Sequence, residues 1–302
     1  MKAARLIGWT LALAALCLSC PGVAAPATPV CAPSLLQNIP VRPAGAPAGS
    51  QFAAQIRSSD GTPREAAIET EILAGNLPGF LRRLIPVTTT ATMDGRPVRV
   101  TACVLPDYLA VGSDRDFLFV PMRLATALEI GNRYGFTLPT AKLVDAIYAA
   151  SAVHLAPQPL PASDLMRSTD YYRAHSQLIR TQEADLGALP GLLTAGHKKD
   201  LVLTNRLWSY PDRVAIYGWH KPDDRPIQPL STVHGARYAD YSHGVRLVST
   251  TVYVDGAPQS IFAALSDPKL APALSGEGPI RAAGELVTAR AVPPPEAVAA
   301  SR

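Results

Sequence analysis

Apolar and polar positions change rhythm several times along this chain. Leu6 to Leu18 is an apolar run, and residues 26 to about 50 then lose all periodicity and carry mainly Pro, Ala and Gly. Helical spacing begins at Thr62-Pro63-Arg64-Glu65. This has the form of a capping box, with Thr as N-cap, Pro at the first helical position and Glu three residues on. It predicts a helix to about Leu73, stopped by Gly75-Asn76. Phe80, Leu81, Leu84 and Ile85 form a short helical stripe. The period then shortens: TTTATM, the pair Asp94-Gly95 and VRVTACVL predict a β-hairpin. Pro97, which cannot donate to a ladder, places the start of the second strand at an edge.

Three helical segments follow. Met122 to Tyr134 carries Leu124, Leu128 and Ile130; Thr140 caps a helix with Leu143, Val144, Ile147 and Tyr148. Ser163 or Asp164 opens a longer helix through Tyr172, His175 and Ile179, with His175 near its apolar stripe. After Gly191 the texture becomes that of strands: LVLTN, RVAIYGW, YADYSHGVRLVSTTVYVDG and SIFAAL, with turns at Pro-Asp and Asp-Gly. The order predicts an α+β fold, with a helical N-terminal and middle part packed on a mostly antiparallel C-terminal sheet. One domain is expected over residues 52 to 285, preceded by an arm at 26 to 51 and followed by a flexible tail at 286 to 302.

Composition adds the compartment. Lys2 and Arg5, then the apolar run, then Gly22-Val23-Ala24-Ala25 have the three parts of a secretory signal over residues 1 to 25. The run is too short for a stable transmembrane helix, and no later run is long enough for one. A periplasmic or secreted protein is expected. Cleavage removes Cys17 and Cys20 and leaves Cys31 and Cys103, which an oxidising compartment would join in a disulfide tying the arm to a strand. The formal net charge of +4 is mild, and no basic tract with interleaved aromatics occurs, which argues against nucleic-acid binding.

The chemistry is concentrated between residues 197 and 246, where four of the six histidines fall: His197, His220, His234 and His243. Imidazole exchanges protons and binds metals near neutral pH. His234, Asp240 and His243 are the candidate ligands of a metal, zinc by donor type, with His220 as a further ligand or base. On a regular strand Asp240 and His243 face opposite ways, so their convergence needs a turn or bulge. Ser242 is a candidate nucleophile, although position 240 breaks the Gly-x-Ser-x-Gly elbow. His and Asp without metal could also move protons to and from water. Against all three stands packing alone: tyrosine tips hydrogen-bonded, Asp240 paired with Arg246 or Arg237, and Ser242 satisfying a backbone group at a turn.

Export together with this cluster points to a hydrolase acting on a cell-envelope polymer, peptide or glycan. Its catalytic candidates are His220, His234, Asp240, Ser242 and His243. Lys198, Lys199 and Arg246 would neutralise an anionic ligand, and Asp200, Asn205 and Tyr241 would position it. The alternative is a non-enzymatic envelope-binding or scaffold protein using Trp208, Trp219 and the tyrosines as an aromatic surface.

Overall fold

The computed structural model describes residues 31 to 291. The expected signal peptide, with Cys17 and Cys20, and residues 292 to 302 lie outside the described residues. The described part of the arm, residues 31 to 51, lies on the body. Cys31 and Cys103 are joined in a disulfide, with Cα atoms 5.7 Å apart. Arg42 Nε donates to Asn76 Oδ1 at 2.8 Å and to the Gly112 carbonyl at 3.0 Å. Helix α1, Gly49–Gln55, then buries Phe52 and Ala53.

Helix α2, Gly61–Leu73, ends where expected but starts two residues early, with Asp60 rather than Thr62 as N-cap. Glu65 does not close a capping box. Its carboxylate accepts from the Arg123 backbone N–H at 2.9 Å and from Thr126 Oγ1 at 2.7 Å, so it serves the start of a neighbouring helix. The Phe80 to Ile85 stripe divides into a 3-10 turn, Gly79–Arg82, and the beginning of strand β1, Ile85–Met93. Strand β2, Arg96–Val104, returns antiparallel across Asp94 (φ 51°) and Gly95 (φ 78°), the left-handed pair that a tight hairpin demands.

The chain continues through the hairpin β3, Ala110–Gly112, and β4, Phe117–Phe119. Helix α3, Leu124–Tyr134, strand β5, Phe136–Thr137, and helix α4, Ala141–Ala150, come next. Thr140 Oγ1 caps α4 by accepting from the Leu143 N–H at 3.2 Å, a bond type worth about 1 kcal/mol. After β6, Val153–His154, the predicted helix at Ser163 is broken in two. Ser163 caps a 3-10 turn, Asp164–Arg167, and Ser168 caps the long helix α5, Thr169–Asp185.

The C-terminal third holds β7, Thr194–Ala195, β8, Lys199–Leu201, the short helix α6, Arg206–Ser209, and β9, Ile216–His220. It goes on with β10, Pro226–Ser231, β11, His243–Gly244, β12, Val248–Val254, and β13, Ala257–Ser260. It closes with helices α7, Ile261–Ser266, α8, Ala271–Leu274, and α9, Ala283–Ala291. The stretch SIFAAL is therefore helical rather than a strand. Its buried Ile261, Ala264 and Leu265 sit at i, i+3 and i+4, the spacing of a helix face. Leu286 and Val287 are buried in α9, so the packed body runs past residue 285.

These elements form an α+β fold with mostly antiparallel strand pairing. The larger sheet runs β1-β2-β12-β13, with β5 also paired to β12. The N-terminal hairpin thus shares a sheet with the C-terminal strands. Pro97 is tolerated because the pairing of β12 with β2 reaches only as far as Val100. The second sheet runs β10-β9-β8-β11 and carries most of the candidate chemistry. Among the described residues, no helix is long and apolar enough to cross a membrane.

Candidate functional site

The site begins with a register. Strand β11 pairs parallel to β8, with His243 opposite Lys199 and Gly244 opposite Asp200. Lys199 N–H donates to the Ser242 carbonyl at 2.8 Å. Just before this pairing the chain makes a tight turn. Ser242 donates to Asp240 Oδ1 through its backbone N–H at 2.7 Å and its hydroxyl at 2.6 Å, and His243 N–H donates to the Asp240 carbonyl at 3.0 Å. The turn replaces strand alternation, which would have sent Asp240 and His243 to opposite faces. Tyr238 OH donates to Asp240 Oδ2 at 2.9 Å. The His234 ring packs 4.2 Å from the Tyr238 ring and stacks at 5.5 Å on that of His243. His234, Tyr238, Asp240 and His243 are thereby one group.

Burial sets the protonation states. It pushes His243 down to about 4, against the pull of Asp240, so this imidazole is neutral at pH 7. Neither of its ring nitrogens has a hydrogen-bond partner. His234, half-buried at the edge of the group, is also lowered by burial. Burial pushes Asp240 up, but His243, the two Ser242 hydrogen bonds and Lys199 outweigh it and hold the carboxyl below its usual range. Lys198 is buried and brought down to about 7 by desolvation. Lys199 is partly exposed, and its Nζ lies 4.9 Å from the centre of the Trp219 ring. Trp219 itself is buried with a positive φ of 58° and an unpaired indole N–H.

Other expected site residues are held elsewhere. His220 Nε2 lies 2.9 Å from Asp145 Oδ1 and stacks at 4.5 Å on Tyr148, in a separate polar cluster with Tyr217. Arg246 is fully buried: it donates to the Leu105 and Thr194 carbonyls and lies 4.4 Å over the Tyr108 ring. Asp200 accepts from Tyr108 OH at 2.8 Å, and burial raises it to about 6. Asn205 bridges to the chain near residue 280, donating to the Pro279 carbonyl and accepting from Arg281 N–H. Tyr241 OH accepts from Leu160 N–H at 2.7 Å inside the core. His175 is buried, as its apolar stripe implies. Arg246, Asp200, Asn205 and Tyr241 therefore tie chain segments together, and Lys198 joins the protonic group rather than an anion-facing surface.

Tyr238 enters the site without having been assigned to it by sequence, and Trp219, expected on an aromatic contact surface, is instead buried beside Lys199. Tyr238 stands two residues before Asp240, a spacing that a turn converts into a direct hydrogen bond. Among the described residues, no group of three or more His, Cys, Asp or Glu side chains has an arrangement that could hold a metal ion. Both Asp240 oxygens are engaged by hydroxyl and amide donors, so the carboxylate is not offered as an open ligand. The Ser242 hydroxyl proton is directed to Asp240 rather than to an imidazole, which is the geometry of a turn and not of an activated nucleophile. The aromatic-surface alternative loses contact area, because Trp219 and Tyr241 are buried and Trp208 Nε1 is bound to the Arg281 carbonyl. Comparison with protein-family models, with curated proteins and with solved structures finds no match to this chain.

Proposed function

We propose that the protein is an exported hydrolase that cleaves a cell-envelope polymer, peptide or glycan, by proton transfer at His243. The observation that carries this reading is a buried, neutral imidazole whose two ring nitrogens have no protein partner, stacked on a half-buried second imidazole. A buried polar group left unpaired is costly and calls for a partner, which in this reading is the attacking water. His175, whose ring nitrogens are likewise unpaired, packs edge-on against Trp219 and Tyr241 instead of beside a carboxylate and a second imidazole. In this reading His243 takes a proton from the attacking water and returns it to the leaving group. Asp240 stabilises the imidazolium formed in between, and Tyr238 and Ser242 hold that carboxylate in place. His234 meets the substrate at the edge of the group. Export is supported by the signal-like residues 1 to 25 and by the Cys31–Cys103 disulfide. The reading assigns no step to a metal, since among the described residues no group of three or more His, Cys, Asp or Glu side chains is arranged to hold one.

The test is release of new reducing ends or new amines from isolated envelope material. His243→Gln and Asp240→Asn should each lower the rate by about 100-fold or more while thermal melting stays cooperative. Full turnover in both variants would remove the site. Saturable retention on the material without any product would make the protein a binder.

A further inference from the structure

A cavity of about 290 Å³ lies where the start of α2, the Arg123 segment, the 164 to 169 segment and the chain at 237 to 239 meet. Five arginines line it: Arg57, Arg64, Arg123, Arg167 and Arg237. Against them stand Asp60, Glu65 and Asp164. Glu65 is turned onto the Arg123 N–H and Thr126, and burial raises its pKa, which weakens its claim on the guanidiniums. Arg57 is ion-paired with Asp170 at 3.1 Å, and the Arg123 guanidinium donates to the Arg237 carbonyl and to Thr62 Oγ1, so the positive excess rests on Arg64, Arg167 and Arg237.

Arg64 is the fixed point. Only 5 % exposed, it donates from one terminal nitrogen to the Arg167 carbonyl and lies 4.8 Å over the Tyr172 ring. Its buried Nε–H has no hydrogen-bond partner. Arg167 and Arg237 are exposed, and neither guanidinium makes a hydrogen bond or ion pair with the described residues. The first residue of α2, Gly61, and the first of α5, Thr169 with its cap Ser168, line the same cavity. Two helix N-termini therefore add their partial positive charge to that of the arginines.

We propose that this cavity binds a phosphoryl group. A carboxylate offers two oxygens, whereas guanidiniums from four chain segments and two helix ends surround this space. A group with three terminal oxygens and close to two negative charges matches that donor set better. Free phosphate and a phosphorylated sugar share this chemistry. The site is independent of His243 and stands whether or not the protein is a hydrolase.

The test is low-salt calorimetric titration of the exported protein with inorganic phosphate, glucose 6-phosphate and glucose. Both phosphates should bind at one site and glucose should not. The Arg167→Gln/Arg237→Gln double variant should melt as the parent does and bind at least about tenfold more weakly. Tighter binding of glucose 6-phosphate than of phosphate identifies a sugar-borne group, and equal binding identifies the free oxyanion. Absence of phosphate binding, equal binding by glucose, or unchanged affinity in the double variant overturns the proposal.

Discussion

Lys198 Nζ donates to the backbone carbonyl of Tyr241 at 2.6 Å, from a side chain only 1 % exposed. This bond clips the segment before β8 to the turn that presents His243. It also places an amine where its charge is poorly solvated, which is why the lysine falls to about 7.

That shift predicts a pH dependence of stability. A lysine near 7 in the folded state and near its ordinary value when unfolded binds fewer protons folded than unfolded between those limits. Its contribution is full above the unfolded pKa and is lost as pH falls through about 7. Asp200, near 6, and Glu183, near 8, act in the opposite direction but have largely titrated by pH 8.5. The buried tyrosines, raised by desolvation (Tyr108, Tyr134, Tyr172, Tyr217 and Tyr238), also oppose it above pH 8.5, so the Lys198 contribution is read as a difference. By urea unfolding, the change in stability from about pH 8.5 to about pH 9.5 should be about 1 kcal/mol more favourable in the parent than in Lys198→Met. An equal change in the variant would refute the assignment.

Ser242→Ala separates a turn residue from a nucleophile. The Ser242 N–H still holds Asp240 Oδ1 when the hydroxyl is gone. Turnover of envelope material should stay within about tenfold of the parent, whereas loss of a true nucleophile removes about 10⁴-fold or more.

Elemental analysis of the untagged protein after dialysis should give substoichiometric zinc and other transition metals, and chelator should leave turnover unchanged. One metal per chain, lost in His234→Ala, would restore the His234, Asp240 and His243 ligand set.

The disulfide closes a separation of 72 residues between Cys31 and Cys103. Loop entropy assigns such a crosslink about 4 kcal/mol. Cys31→Ser should lower the urea midpoint accordingly and raise the slope, because the unfolded chain is no longer crosslinked, and an unchanged midpoint would show that the Arg42 contacts alone fix the arm.

Legibility followed the range of the forces involved. The Asp94-Gly95 hairpin, the Thr140 cap and the stop after Leu73 were readable because each depends on a few neighbouring residues. Glu65 was misread because its strongest partners, Arg123 and Thr126, come from another helix. SIFAAL was misread as a strand because short apolar runs leave the period ambiguous, and burial of one face decided it. The histidine-rich stretch stood out in the sequence by composition alone. Its division into a His234–His243 group and a His220–Asp145 group could not be seen, because Asp145 lies 75 residues away on α4.

The sequence by itself determined the α+β class, the hairpin and the region where titratable groups gather, and it left the joining of Cys31 and Cys103 to the structure. The first three follow from local period, turn chemistry and composition. Tertiary structure alone decided which of those groups are free to act. The β8–β11 register and the Asp240 turn bring His243 beside Asp240 and His234, while the same packing seals Arg246 against backbone carbonyls. It also gathers arginines from positions 57 to 237 around one cavity. Charge and desolvation act through space over a few ångströms, and the order of residues does not record those distances.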